Sequence, residues 1–227
     1  MWETTTPSSG SCALPGSHFG MSIRGLGFPI YAVEARWTAL LECADAESEA
    51  QARPRFEALL QAALEHGCIG DAVLAESLAQ ARALWHLRES IPLAQAMEGP
   101  NIKHDIALPV SAIPAFVQRT DAALQAAFPG SRVINFGHLG DGNLHYNLQA
   151  AAGASAQDFL DAQEDAVNRI VYDAVVARGG SISAEHGIGA FKRDELRERK
   201  SPVALAMMRA IKRALDPKGT LNPGRVL

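Results

Sequence analysis

The sequence predicts an α+β domain in which an antiparallel sheet carries helices packed on one face. Long segments have apolar residues at helical spacing, and shorter segments of strand type lie between them. An Asp-Gly dipeptide separates two of the shorter segments, as the turn of a β-hairpin would. Because no internal repeat is visible and 48% of the 227 residues are hydrophobic, we expect one compact core.

The first half of the predicted domain alternates strands and helices. Gly67 follows the first helix in the manner of a C-cap, and the residues after Gly99 resume an alternating pattern. The predicted elements are a strand at Trp37–Cys43, a helix at Glu47–His66, a strand at Asp71–Glu76, a helix at Ser77–Ala96, a strand at Ile102–Pro109 and a helix from Pro109 to Phe128.

The second half begins with a predicted hairpin at Ser131–Ala150. A long amphipathic helix follows at Ser155–Arg178, with Ser155 as its N-cap and Gly179 and Gly180 as its end. A short strand at Ser181–Ala184 and helices up to Leu215 complete the order β-α-β-α-β-α-β-β-α-β-α.

Residues 1–36 are predicted to form a tail or linker, and residues 37–227 the folded domain. Much of the first segment consists of Ser, Thr, Gly and Pro, which bury too little apolar surface to offset the entropy of ordering. Such segments often separate domains, so another domain is expected to have preceded this one.

The charge pattern favours a small-molecule partner over a nucleic acid or a membrane. Lys and Arg number 21 and Asp and Glu 25, a net charge of −4, without a block of like charge. The sequence contains neither a transmembrane segment nor a signal peptide, and three cysteines (Cys12, Cys43 and Cys68) do not suggest a disulfide framework. We therefore expect a cytoplasmic protein, for which a homodimer is one compatible assembly.

The predicted hairpin offers a metal site. If Asp141 and Gly142 form a two-residue loop, His138 and His145 lie directly opposite each other, with Cβ atoms about 5 Å apart. Asn147 shares their face, and Glu185, in a second glycine-flanked turn, can supply a carboxylate as third ligand. Two histidines that merely pack or face solvent are the structural alternative.

Two cations could anchor the carboxylate of a substrate. Arg88 lies beside apolar residues of a predicted helix, and Lys103 shares a strand face with Asp105. Arginine offers a planar pair of donors and lysine a point charge. Periodicity alone would equally allow both to be ordinary solvated charges.

Three motifs give this chain a family resemblance. They are GHLGDGNLHYN (Gly137 to Asn147), SISAEHGIGAFKR (Ser181 to Arg193) and LDPKGTLNPGRVL (Leu215 to Leu227), supported by WHLRES and KHDIALPV. The chain resembles the C-terminal domain of FAD-linked oxidases and dehydrogenases, a family that includes D-lactate, glycolate and D-2-hydroxyglutarate dehydrogenases. The resemblance implies a ferredoxin-like-derived α+β fold.

Carried onto these motifs, the resemblance implies a role for each candidate residue. It makes His138, His145 and Glu185 ligands of a divalent Zn or Mn ion, His186 the general base, and Arg88, Lys103 and Asn147 substrate-binding residues. It also implies that Asn222 approaches the flavin. Pro92 stands where many dicarboxylate-oxidising relatives have Thr, which disfavours hydroxyglutarate in particular.

The implied reaction is oxidation of a D-2-hydroxy acid to the 2-oxo acid with hydride transfer to FAD. The Gly-rich FAD-binding domain of such enzymes has no counterpart in this sequence, so we expect FAD to be held by a missing N-terminal domain or subunit and the isolated chain to be inactive. A site of two histidines and one carboxylate would also suit a metal-dependent hydrolase or oxygenase, or a non-catalytic metal- or carboxylate-binding module.

Overall fold

The fold is built on one antiparallel sheet. The computed structural model describes residues 2–7, 37–43 and 48–227. Its five strands lie in the order β2-β1-β4-β5-β3, and every neighbouring pair is antiparallel. They are β1 (Trp2–Pro7), β2 (Thr38–Leu41), β3 (Asp105–Ala107), β4 (Arg132–His138) and β5 (Asn143–Gln149).

Helices complete the predicted α+β class, which the structure confirms. Serine side chains cap three of them, as Ser77, Ser155 and Ser201 each accept a backbone N–H from the first turn. The helices are α1 (Glu49–Glu65), α2 (Leu78–Glu89), α3 (Ile91–Met97), α4 (Ile113–Ala127), α5 (Ala156–Val176), α6 (Arg193–Arg199) and α7 (Pro202–Leu215). None of the described helices is long and apolar enough to cross a membrane.

The hairpin of β4 and β5 separates the core from the candidate site. Side chains alternate along a strand, so residues of even number on β5 all point to one face. Leu144, Tyr146 and Leu148 are fully buried there against Phe116 of α4 and Val171 of α5. The opposite face therefore carries the odd-numbered side chains of β5, two asparagines, a histidine and a glutamine.

Four predicted elements differ from the observed ones. The helix expected at Ser77–Ala96 breaks at Ser90, because Pro92 lacks a backbone N–H and starts the first turn of a new helix. Trp2–Pro7 form β1 within the segment predicted as a tail, in keeping with the β propensity of three consecutive threonines.

Two predicted strands are not formed. Asp71–Glu76 have no regular structure of this kind, and Ser181–Ala184 contribute only an isolated bridge between Ser181 and Ala107.

The remaining part of that predicted tail, 8–36, lies outside the described residues. The domain boundary at residue 37 therefore stays a prediction.

His104 is a buried histidine that ties β5 to α5. It is 1% exposed, its Nδ1 lies 2.8 Å from the carbonyl oxygen of Tyr146, and its Nε2 lies 2.9 Å from the Asn168 side chain. Burial lowers the pKa of His104 to about 4, from the 6.5 of an exposed histidine. The imidazole is therefore neutral in the folded protein at pH 7.

We expect His104 to make the protein less stable as the pH falls from 6.5 to 4. In that range the unfolded chain binds a proton at His104 that the folded chain does not, which lowers the free energy of unfolding by up to about 3 kcal/mol. Urea denaturation at several pH values measures this loss. His104→Gln should remove this part of the pH dependence, and an equally steep decline in the variant would contradict the assignment.

Candidate metal and substrate site

The loop of the hairpin is longer than the sequence predicted. Four residues, Leu139 to Gly142, join the strands, as a 3₁₀ turn followed by Gly142 at a φ of +67°. Leu139 packs against the core, and Asp141 does not adopt the positive φ of a two-residue type I′ turn. The prediction of an Asp141-Gly142 loop is therefore wrong.

This loop shifts the pairing of the two histidines. His138 lies opposite Asn143, and Phe136 lies opposite His145. The prediction that His138 and His145 are directly opposed is also wrong. They nevertheless share one face of the hairpin as diagonal neighbours, for which Cβ atoms are about 7–8 Å apart.

A turn after α5 brings two more predicted site residues to His145. Glu185 Oε2 lies 4.0 Å from His145 Nε2, and the rings of His145 and His186 are 6.0 Å apart between centroids. The Asn143 side chain donates a hydrogen bond to Glu185 Oε1. Asn143 pairs with His138 across the hairpin, so the three predicted metal ligands lie in one small region. His138 is connected to Glu185 through Asn143, whereas His145 lies next to Glu185.

Asp105 of β3 is a member of the site that sequence reasoning did not assign. It pairs with His145 across the β3–β5 ladder, and its Oδ2 lies 3.8 Å from His186 Nδ1. One ligand atom from each of Asp105, His145 and His186 lies within 4.8 Å of the others. The strand alternation that placed Lys103 and Asp105 on one face was the available signal for it.

The electrostatics of the site favour a metal-binding imidazole. Burial lowers the pKa of His145, an effect that the Glu185 and Asp105 carboxylates only partly oppose and that the nearby Arg88 guanidinium reinforces. His145 is therefore neutral at pH 7, the form whose ring nitrogen can bind a metal. The pKa of Asp105 is lowered despite its burial, because backbone N–H groups of His186 and Glu185 stabilise the charge.

Arg88 is connected to the site by the ring of Phe136, which it contacts. Its guanidinium carbon lies 5.2 Å from the ring centroid of Phe136, and that ring lies 5.0 Å from the ring of His145. Phe136, which the sequence did not single out, therefore links the predicted carboxylate anchor to the predicted metal ligand.

Lys103 and Asn147 lie further along the same face. The register that pairs Asp105 with His145 and Ile102 with Leu148 places Lys103 opposite Asn147. Lys103 is exposed, whereas Asn147 is 4% exposed and bonds to the backbone N–H of His104 and to the Gln95 side chain. One hydrogen of the Asn147 amide group is left over for a ligand.

Asn222 lies at a separate cleft between α7 and the C-terminal segment. It has a φ of +47° and is exposed. The backbone N–H of Val226 donates to the carbonyl of Gly189, which follows His186 by three residues. The cleft and the candidate metal site are therefore joined through the segment that contains Glu185 and His186.

The geometry defines an α+β domain with a cluster of histidines and carboxylates on the sheet face opposite the core. The family model for FAD linked oxidases, C-terminal domain, matches residues 26–226. The chain belongs to this family.

Several relatives carry the name D-2-hydroxyglutarate dehydrogenase. The protein of Xanthomonas citri pv. viticola is 43% identical over 182 residues, which cover 80% of this chain and 37% of the relative. The mitochondrial protein of Arabidopsis thaliana is 40% identical, covering 79% of this chain and 30% of its own length. That of Stutzerimonas stutzeri is 37% identical, with 79% and 39% covered. The chain thus spans about 30–39% of the length of these relatives.

Proposed function

We propose that this chain is the substrate- and metal-binding part of a flavin-dependent dehydrogenase that oxidises a D-2-hydroxy acid to the 2-oxo acid. The observation that carries the proposal is the convergence of His145, Glu185 and His186, from two distant parts of the sequence, on one face of the sheet. The relatives named as D-2-hydroxyglutarate dehydrogenases support the substrate class.

The donor set fits a divalent cation. Among the described residues, the Oδ1 atom of Asp105 is buried and has no hydrogen-bond partner. A cation bound nearby would offset the desolvation cost of this carboxylate oxygen. We propose that His138, His145 and Glu185 hold Zn or Mn, an ion that would act as a Lewis acid on the substrate hydroxyl.

His186 is the proposed general base. Its side chain is 66% exposed, so it can reach a substrate bound over the hairpin, and its Nδ1 faces the Asp105 carboxylate. An imidazole can accept the hydroxyl proton near neutral pH, while bound FAD would accept the hydride from the adjacent carbon.

Arg88, Lys103 and Asn147 are proposed to bind the substrate carboxylate. Phe136 lies between Arg88 and the proposed metal ligands, and Lys103 lies opposite Asn147 on the neighbouring strand. Hydrogen-bond donors are therefore present at two places along the same face. Pro92 follows Arg88 in the first turn of α3 and offers no hydroxyl group. The proposal therefore extends to 2-hydroxy acids as a class and not to hydroxyglutarate in particular.

FAD is proposed to be held mainly by a partner domain or subunit, with Asn222 approaching the flavin. Exposed apolar side chains repeat along α7 at helical spacing, a pattern that favours contact with another protein surface. They are Val203, Met207, Ile211 and Leu215. The cytoplasmic location stays a prediction, because relatives such as that of Arabidopsis are named as mitochondrial.

Metal titration of the chain tests the proposed site. We expect uptake of about one Zn or Mn ion per chain, and His138→Ala, His145→Ala and Glu185→Gln should each weaken binding by about 100-fold or more, because each removes a direct ligand. Isothermal titration calorimetry measures the affinity. His66→Ala, which alters an exposed histidine at the end of α1, is the matched control and should bind as the wild type does. Equal affinity in all four variants would contradict the site.

A further inference from the structure

A single buried carboxylate joins the two halves of the site. Asp105 is 3% exposed, and its Oδ2 accepts backbone N–H groups from three consecutive residues, Ala184, Glu185 and His186, at 3.2, 2.9 and 2.8 Å. Asp105 also pairs with His145 across the ladder. The backbone at Glu185 and His186 is therefore held against β3 by this side chain.

Apart from the hydrogen bond from Asn143 to Glu185, the turn has few contacts that hold its functional side chains. Glu185 and His186 lie in neither a helix nor a strand, and their side chains are 49% and 66% exposed, so packing does not fix them. Lys192 supports the start of the turn by donating to the carbonyl of Ile182 at 2.8 Å. The backbone at Glu185 and His186 itself is bonded to Asp105.

Burial of this carboxylate carries a desolvation cost, and its Oδ1 atom has no hydrogen-bond partner. The backbone N–H groups at Oδ2 outweigh that cost, because the pKa of Asp105 is lowered and the fold therefore favours the charged form. The charge of Asp105 is thus stabilised by the turn that carries Glu185 and His186.

We infer that Asp105 is a positioning residue that sets the Glu185–His186 turn at the correct distance from His145. The inference rests on the proposed function, because the turn is assigned the third metal ligand and the base. Without the carboxylate, the N–H groups of the turn bond to water instead, and Glu185 and His186 move relative to the hairpin.

The test combines amide hydrogen exchange with Mn²⁺ and Zn²⁺ titration of Asp105→Ala and Asp105→Asn. In the metal-free chain, amide protection at Glu185 and His186 should fall about tenfold or more in Asp105→Ala. The dissociation constant for the metal should rise by about 10- to 100-fold. Asp105→Asn keeps one oxygen acceptor and should lie between wild type and Asp105→Ala in both measurements.

Asp216→Asn is the matched control. Asp216 also accepts two consecutive backbone N–H groups, from Thr220 and Leu221, but it lies at the end of α7 and bonds to the C-terminal turn. This variant should weaken the C-terminal turn and leave the metal affinity unchanged. It therefore separates the positioning of the site from a general loss of stability.

Each outcome decides the inference. Unchanged amide protection together with weaker metal binding would overturn it, since Asp105 would then act on the metal directly. Unchanged metal affinity in Asp105→Ala and Asp105→Asn would also overturn it while leaving the metal site in place. If the wild type takes up no metal, the proposed site fails, and the exchange of the metal-free chain still decides whether Asp105 holds the turn. If Asp105→Ala does not fold, Asp105→Asn decides in its place.

Discussion

His186→Ala is expected to slow substrate-driven reduction of the flavin by roughly 10²- to 10⁴-fold in the complete flavoprotein, the usual contribution of a positioned general base. The alcohol must lose a proton as the hydride leaves, and His186 is the imidazole that faces outward beside the proposed metal ligands. Stopped-flow absorbance of the flavin under anaerobic conditions measures this rate directly.

Two further measurements make this expectation specific. Metal content and substrate affinity should change little in His186→Ala, because Arg88, Lys103 and the metal ligands stay in place. His66→Ala should reduce its flavin at the wild-type rate. A His186→Ala rate within twofold of the wild type would remove His186 as the base and direct attention to Asp105, which lies 3.8 Å from it.

Gly142→Ala is expected to destabilise the protein by about 2–3 kcal/mol. A Cβ at this position would lie 2.0 Å from the carbonyl oxygen of Leu108, whose own N–H donates to Gly142. The positive φ costs an alanine about 1–2 kcal/mol, and moving the Leu108 backbone weakens a hydrogen bond worth about another 1 kcal/mol. Urea denaturation at pH 7 measures the change.

Gly153→Ala separates the two causes. Gly153 also has a positive φ, of +80°, but an added Cβ would meet no atom within 4 Å. This control should therefore show only the conformational cost of about 1 kcal/mol. Equal destabilisation in the two variants would show that the hairpin loop can move away from Leu108. In Gly142→Ala we also expect weaker metal binding, since the loop connects His138 to Asn143.

The general fold was predictable because strong local signals specified it. The N-cap at Ser155, the end of α1 before Gly67 and the hairpin itself were all confirmed, since each depends on neighbouring residues alone. The length of the hairpin loop was not predictable from its Asp-Gly dipeptide. Leu139 packs against the core, a tertiary contact that no local pattern reports.

In the candidate site, too, some features were predictable from the sequence and others depend on tertiary contacts. Its histidines and glutamate stand out in the sequence, and the structure brings His145, Glu185 and His186 together. The role of Asp105 depends on hydrogen bonds across some 80 residues of sequence, to the backbone of a turn with no regular structure. Strand alternation places Asp105 on the same face as Lys103, but no spacing pattern reports that its side chain bonds to the main chain of a distant segment.

The hairpin places core residues and candidate-site residues at alternating positions of the sequence. Along β5, Leu144, Tyr146 and Leu148 secure the core, whereas Asn143, His145 and Asn147 face the opposite side of the sheet. Substitutions at every second position therefore change the proposed site while the core residues of the strand stay the same. This strand is the natural place to begin redesigning selectivity within the family.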